Sequence, residues 1–427
     1  MTVSAPPRPP HPSDPVDRDE LAALIEEARR RARRRRRIYG AGAALAALAG
    51  VAVFAVIDRD ASSQSAPPAS GTRASLSAAA ANSKIAFLRD PDGDGLFGGD
   101  IELWVMNPDG SGQRTLTRKA SDSHAPVWSP DARRIAFVRH RRGAPLPRGG
   151  RAENQDIYVI NADGSGERRL TSGPVQSIFP AWSPDGRKIA FTRATPRRTL
   201  GVRRWHTDLY LMNADGSGQR RLTSGAPPQW GPVWSPDGRK IAFRSDSDIY
   251  VINADGSGQR RLTSSPADEL FPAWSPDGRK IAFTGATDNV PAVQEPLWEV
   301  YVINADGSDK QKLARGLSPV WSPDGRKIAY ERHGVHLMNA EVHVMNADGT
   351  GQRRLVLGAS PVWSPDGGQI LFTRFVGHVS AAVREHGGDA EGNTEIFVAN
   401  VDGSGSRRLT RNPGDDVSAA WSATLRP

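Results

Sequence analysis

Residues Trp182–Phe191 read WSPDGRKIAF, and this decamer decides the fold. It returns at Trp274–Phe283, as WSPDGRKIAY at Trp321–Tyr330, and in the same or a close form from Trp128, Trp234 and Trp363. A second string, DIYVINADGSGQRRLT at Asp248–Thr263, follows in related forms. Its Asp-Gly pair recurs at Asp109, Asp163, Asp215, Asp255, Asp306, Asp348 and Asp402. Self-similarity at this period marks a repeat architecture in which each unit is one supersecondary element. Spacings between the repeat tryptophans run from 40 to 58 residues, so the units differ by insertion between constant parts.

Each unit carries four short strand signals, as at Pro180–Trp182, Lys188–Phe191, Ile157–Ile160 and Arg168–Thr171. Ser-Pro-Asp-Gly suits a tight turn, because Pro presets φ and Gly accepts positive φ. Asn-Ala-Asp-Gly-Ser-Gly does the same between the third and fourth strands. The third strand is apolar on both faces, which requires cover on both sides, and radially stacked blades supply it. The first unit begins at Lys84 with a second strand, and the last stops after Trp421 with only a first strand. Pairing these halves closes a ring without exposed sheet edges. The expected fold is all-β, a seven-bladed β-propeller over 84–422 with terminal closure, Val417–Trp421 pairing beside Lys84–Leu88.

These strings resemble the WD-like repeat of TolB-type propellers, also found in the N-terminal propellers of prolyl-oligopeptidase-like proteins. The resemblance covers about 84–422 and implies a β-propeller, but not a role in a Tol–Pal system. It departs in two ways. TolB carries an α/β domain ahead of its propeller and is released into the periplasm, whereas this sequence has an apolar stretch and a linker there. The peptidases add a serine hydrolase domain; here the sequence ends at Pro427 and no G-x-S-x-G nucleophile elbow occurs.

Ile38–Ile57, IYGAGAALAALAGVAVFAVI, is uncharged and long enough to cross a hydrocarbon core. Eight arginines lie between Arg29 and Arg37, so the positive-inside rule keeps 1–37 in the cytoplasm and places the propeller outside. The expected organisation is a cytoplasmic tail (1–37, with a short basic helix), one transmembrane helix (38–57), a flexible Ala/Ser/Pro linker (58–83) and the propeller. A cleaved signal peptide is the competing reading. The net charge of +9 divides into +4 within 1–37 (ten Arg, six Asp/Glu) and +5 over the rest. That division argues against nucleic acid as a partner of the propeller. With no cysteine, neither a disulfide framework nor a thiolate metal site is available.

No catalytic group or cofactor is expected, with one candidate metal loop. In DPDGDG at 90–95, Asp90, Asp92 and Asp94 alternate like the first, third and fifth ligands of a calcium loop. Glu102 stands one place beyond the twelfth position, which Ile101 occupies; the alternative is an Asp/Gly-rich hairpin that binds no ion. Chain direction puts both tight turns of every blade on one face, here the lower. The second-to-third loops and the blade connections lie on the upper face, where the long segments 89–99, 139–155, 193–207, 284–298 and 374–394 fall. Two neighbouring upper loops are basic and include Arg141, Arg142, Arg197, Arg198 and Trp205; the connections add Phe179, Trp230 and Phe271. Variable loops on a rigid scaffold are where binding resides. The expected function is therefore a non-enzymatic, membrane-anchored extracytoplasmic scaffold for a protein or an anionic envelope polymer. The alternative is a lyase or hydrolase acting at the propeller mouth on a polysaccharide or peptide.

Overall fold

A computed structural model describes residues 83–91, 101–118, 125–145, 151–173, 175–199, 202–224, 227–265, 267–287, 297–332, 340–378 and 391–423. The expected tail, transmembrane helix and linker lie outside these residues, except Ser83, which is buried at the start of the first blade. Among the described residues no helix is long and apolar enough to cross a membrane.

The strands form seven four-stranded antiparallel sheets. Six follow chain order, from Val127–Trp128, Arg134–Pro145, Arg151–Asn161 and Arg168–Arg169 (blade 2) to Ala359–Trp363, Gln369–His378, Glu391–Asn400 and Arg407–Arg408 (blade 7). Blade 1 joins the ends of the array: Asp415–Trp421 pairs with Ile85–Asp90, followed by Glu102–Met106 and Arg114–Arg118. First strands of adjacent blades touch one another around the ring, including Asp415–Trp421 with Val127–Trp128, so these strands form its inner wall.

The repeated residues explain how blades hold each other. The repeat tryptophans pack into the wedges between blades, and in blades 2 to 7 the indole N–H donates to the inner strand of the preceding blade, whereas the Trp421 indole of blade 1 has no such partner. Trp182 donates to the Val127 carbonyl at 3.2 Å, Trp234 to Ala181 at 3.0 Å and Trp274 to Val233 at 3.1 Å. Trp128 donates to Ala420 at 3.1 Å, so the seam between chain ends is built like the other junctions. The first Arg of the fourth strand reaches two turn carbonyls of the next blade. Arg220 bonds Asp255 and Ala254, and Arg407 crosses the seam to Asp109 and Pro108. The second Arg stays at home and pairs with the acid that opens the third strand: Arg169 with Asp156, Arg221 with Asp208, Arg261 with Asp248.

Closure even rebuilds a turn whose two halves lie at opposite ends of the sequence. In blade 3 the Ser183 hydroxyl accepts from the Lys188 amide at 2.9 Å. In blade 1 the Ser422 hydroxyl accepts from the Lys84 amide at 2.8 Å, 338 positions away. The bond that the Ser-Pro-Asp-Gly turn makes within other blades is thus made here between the two ends.

One repeat position departs from the turn rule. Where the other blades place Gly at φ near +70°, blade 2 has Ala132 at φ 56°. In blade 3 a Cβ at Gly186 would meet the ring of Pro130, 3.6 Å away, from the preceding turn. Contact at that distance is ordinary, and the Ala132 methyl of blade 2 is accommodated and buried.

Candidate functional site

The lower face satisfies itself. In Asn213–Gly218 the Asp215 carboxylate accepts from the Ser217 hydroxyl at 2.6 Å and its amide at 2.9 Å, while Gly216 and Gly218 take positive φ. The same bonds hold at Asp109, Asp163, Asp255 and Asp306, with Thr350 as donor to Asp348. Hydroxyl and amide donation hold these carboxyls below the usual carboxylate range. The repeated Asp-Gly pairs are therefore turn components, with their oxygens engaged by the turn itself.

The upper face is assembled from less uniform parts. Three residues before six of the seven repeat tryptophans the inner strand bulges into left-handed backbone: Phe179 (φ 54°), Gly231 (63°), Phe271 (56°), Ser318 (55°), Ser360 (54°) and Ser418 (57°). Ladder register shifts at these points, as between Ile178 and Ala181 and between Leu270 and Ala273. A non-Gly residue here costs about 1–2 kcal/mol. The identity of the bulge residue divides the ring. Blades 3 to 5 place Phe179, Trp230, Leu270 and Phe271 at or beside the bulge, all half-buried, whereas blades 6, 7 and 1 have serine at the bulge, with Ser318 and Ser418 buried. Phe179 and Trp230 meet edge to face with centroids 6.3 Å apart. Among the described residues, large rings at and beside the bulge are thus confined to blades 3 to 5. No sequence signal announces the bulge, because Phe, Gly and Ser all occupy it.

Two residues before each bulge the inner strand carries a buried polar group in four blades: Ser177, Gln229, Glu269 and Asp416. Glu269 pairs with Lys310 at 2.6 Å and Asp416 with Arg89 at 2.7 Å. Each cation lies over an aromatic pair, Lys310 over Phe283 and Tyr301, Arg89 over Phe87 and Trp104. Burial pushes the Asp416 carboxyl above its ordinary value, against the opposing bond and charge of Arg89.

The two basic upper segments are strands, not loops. Arg134–Pro145 and Arg151–Asn161 continue as a ribbon beyond blade 2, and Lys188–Thr199 and Val202–Asn213 do so beyond blade 3. Glu391–Asn400 and Gln369–His378 form a third ribbon on blade 7, which corrects the loop reading at 374–378 and 391–394, while 379–390 lie outside the described residues. A two-stranded ribbon leaves each strand one unpaired edge, so Pro145 and Pro196, which suggested loops, are tolerated. Arg141 and Arg142 stand opposite Asn154 and Glu153; Arg197 and Arg198 stand opposite Arg204 and Arg203, with Trp205 opposite Pro196. At the ribbon bases, Arg139 pairs with Glu167 at 2.7 Å, and Arg193 donates to Gln219 at 2.8 Å while lying over Tyr210. Those two arginines belong to the scaffold.

Of the candidate calcium ligands, Asp92 and Asp94 lie outside the described residues. Asp90 ends an inner-blade strand, fully buried, with its backbone opposite Asp415. Glu102 accepts from the Trp104 indole N–H at 2.8 Å. It is the blade 1 copy of the acid that elsewhere meets the second Arg, and Thr115 replaces that Arg here. Aligning ELWVM with DIYVI would have shown this role. Among the described residues no group of three or more His, Asp or Glu could hold a metal ion. His343 bonds Glu341 at 2.9 Å and packs on Tyr330.

Comparison with known proteins agrees with this architecture and shows the TolB likeness. The family model for the N-terminal region of dipeptidyl peptidase IV matches residues 205–294. The Tol-Pal system protein TolB of Anaeromyxobacter dehalogenans is 34% identical over 136 residues, 32% of this chain and 27% of that protein. An uncharacterised peptidase of Bacillus subtilis, YuxL, is 26% identical over 172 residues, covering 34% of this chain and 25% of that one. The chain thus spans about a quarter of the curated relatives it matches. Among solved structures, a puromycin-hydrolysing peptidase of Mycobacterium tuberculosis superposes with a TM-score of 0.53 at 14% identity, over 79% of this chain and 55% of that one. That likeness is one of fold.

Proposed function

We propose that this protein is a non-enzymatic extracytoplasmic scaffold that binds a partner protein on the upper face of its propeller, tethered by an N-terminal membrane anchor at 38–57. The observation that carries the reading is the aromatic arc of Phe179, Trp230 and Phe271 in a ring whose lower face is uniform and self-bonded. Glycine or serine serves at the same bulge in sister blades, so a large ring there is not needed to form the bulge. Binding supplies a reason to retain it. Half-buried aromatics also suit the centre of a protein interface. The TolB likeness supports the same class of function.

Photocrosslinking in intact cells tests the reading. A photoreactive residue at Trp230 should give discrete protein adducts, and one at Arg239 on the lower face should give none. Phe271→Gly should abolish the adducts while changing stability by no more than about 1 kcal/mol, because strain relief offsets lost contact. Equal adducts from both faces would sink the proposal. The peptidase relatives favour a second reading, an enzyme at the propeller mouth acting on peptide or polysaccharide; turnover of such substrates by the purified full chain would establish it instead.

A further inference from the structure

The bonds that satisfy the lower turns leave out one side chain in each of blades 2 to 6. In Ser-Pro-Asp-Gly-Arg the arginine amide donates to the carboxylate two places before it, as Arg187 does to Asp185 at 3.0 Å. Its carbonyl accepts from the third-to-fourth turn, as from the Ala214 amide at 2.8 Å. Arg133, Arg239, Arg279 and Arg326 make the same two bonds. Blade 7 makes both with Gly368, which donates to Asp366 and accepts from the Val401 amide, each at 3.1 Å. The turn therefore uses the backbone of this residue and not its side chain. All five arginines are exposed. Arg279 lies 4.0 Å from Asp277, and no acid among the described residues comes within 4.0 Å of the other four.

These turns abut one another. A Cβ at Gly238 would stand 3.5 Å from the ring of Pro184 in the preceding turn, and one at Gly278 3.4 Å from Pro236; Gly325 and Gly367 meet Pro276 and Pro323 in the same way. Each turn joins a first strand to a second, so together they form a rim around the lower end of the inner wall. Asp, Arg and Lys give each turn of blades 3 to 6 a net charge of +1, as does blade 2 with Arg134 for Lys. Blade 1 adds Lys84, and blade 7 has Asp366 alone. The rim thus holds +5, the whole net charge of the sequence beyond residue 37. The seven outer turns, each taken from its Asn to the residue seven places on, sum to −2. Their arginines are engaged by carbonyls of the next blade, as at Arg220 and Arg353.

We infer that the lower inner rim is a docking surface for the anionic headgroups of a lipid bilayer. Cations repeated turn against turn around a ring match a plane of charge. Each cation close to such a plane raises binding about fivefold. Blade 7 shows that the turn forms without the arginine, so the five side chains are free to serve an outside partner. Ser83, the first described residue, leads into Lys84 of the same rim, so any anchorage through the preceding chain reaches the propeller from this side. The inference deepens the proposed scaffold and rests on its membrane anchor; it turns the rim toward lipid and leaves the aromatic arc for the partner protein.

The test exploits a sequence without cysteine, in which single labels can be placed. Gly368→Cys marks the rim and removes no arginine, since a Cβ there would come no nearer than 3.5 Å to another residue's atoms. Ser264→Cys marks the exposed upper connection between blades 4 and 5. Each full-length variant carries a fluorophore and is reconstituted into phosphatidylcholine vesicles with or without phosphatidylglycerol, all containing a lipid with a nitroxide headgroup. At about 0.01 M salt the label at 368 should be quenched in the anionic vesicles and bright in the neutral ones. Quenching should vanish near 1 M, where screening shortens to about 3 Å, and the label at 264 should stay bright throughout. Arg239→Gln/Arg279→Gln should lower the docking constant about twenty-five-fold, and Arg239→Lys/Arg279→Lys by less than about twofold, because charge is what the surface reads. Should the Gln pair misfold, the Lys pair and the salt dependence still decide. Equal quenching at 368 in neutral vesicles, or quenching at 264 instead, would overturn the inference. So would preferential capture of soluble polyglutamate, which would assign the rim to an acidic protein. The anchor can fail separately. A chain that leaves the vesicles near 1 M salt, yet is quenched at 368 in low salt, docks without an anchor; one that stays on both vesicles with a bright label at 368 is anchored and refutes the docking rim.

Discussion

The ribbons of blades 2 and 3 rise from adjacent sheets, have similar length and are both rich in arginine, yet they balance charge in opposite ways. In blade 2, Arg142 meets Glu153 across the ladder; in blade 3, Arg197 meets Arg204. Composition alone makes them one basic patch. Register separates a ribbon that neutralises itself from one that does not. Below them the two blades are nearly interchangeable, with the same turn bonds at Asp163 and Asp215 and the same Arg–Asp pair at the fourth strand. Divergence is confined to the face on which the scaffold places no constraint.

The largest effect should come from removing what both ribbons stand on. Trp182 is buried between blades 2 and 3, so Trp182→Ala should cost about 3–5 kcal/mol and lower the melting temperature of the whole propeller. Loss of protection in blade 3 alone would show that blades unfold independently. Deleting 415–427 should act more broadly, because it opens both the Ile85–Asp90 edge and the Trp128 wedge. Unchanged solubility and melting after that deletion would contradict closure.

Acidification should separate the lower turns from the inner wall. The turn carboxyls sit below their ordinary value of 3.8, so their contribution is complete above that value and is lost as pH falls through their lowered range. Asp416 behaves in the opposite sense. Its raised value means that the folded state resists ionisation, and stability declines as pH rises from 3.8 through the raised range. Asp416→Asn should remove that decline while leaving the acid-side loss in place, as read from melting temperature between pH 2 and 7. A variant with an unaltered pH profile would remove Asp416 from the account.

A smaller effect belongs to the one turn that breaks the Gly rule. Ala132→Gly should raise stability by about 1 kcal/mol through relief of left-handed strain, less any packing lost with the buried methyl. A net loss would show that the methyl fills the wedge better than the strain costs. Smallest of all, Arg204→Glu should convert the blade 3 ribbon to the blade 2 pattern and stabilise it by about 0.2–1 kcal/mol, while Glu153→Arg should do the reverse in blade 2.

Most of the fold was legible because the repeat states it seven times over. Tryptophan wedges, tight turns and the split closing blade all follow from strings such as WSPDGRKIAF. The upper face was legible only in outline. The left-handed bulge at Phe179 and Phe271 has no residue signature, since backbone geometry imposed by the inner wall overrides the preference of each side chain. The ribbons were hidden by Pro145 and Pro196, which end a strand inside a sheet but not in a ribbon with free edges. That Arg197 stands opposite Arg204 is a matter of ladder register, which composition does not carry. Glu102 has two readings in the sequence, one from its place after an Asp-rich loop and one from its place at the head of a repeat strand, where it accepts from the Trp104 indole.

Amide hydrogen exchange of the two ribbons at low and high salt tests the central contrast most directly. Screening shortens from about 30 Å at 0.01 M to about 3 Å at 1 M, which weakens repulsion and attraction alike between exposed charges. Protection of amides at 195–206 in blade 3 should therefore rise with salt, while protection at 139–145 and 151–156 in blade 2 should stay level or fall. Parallel responses in the two ribbons would contradict the account, because they would show that register does not divide the basic face.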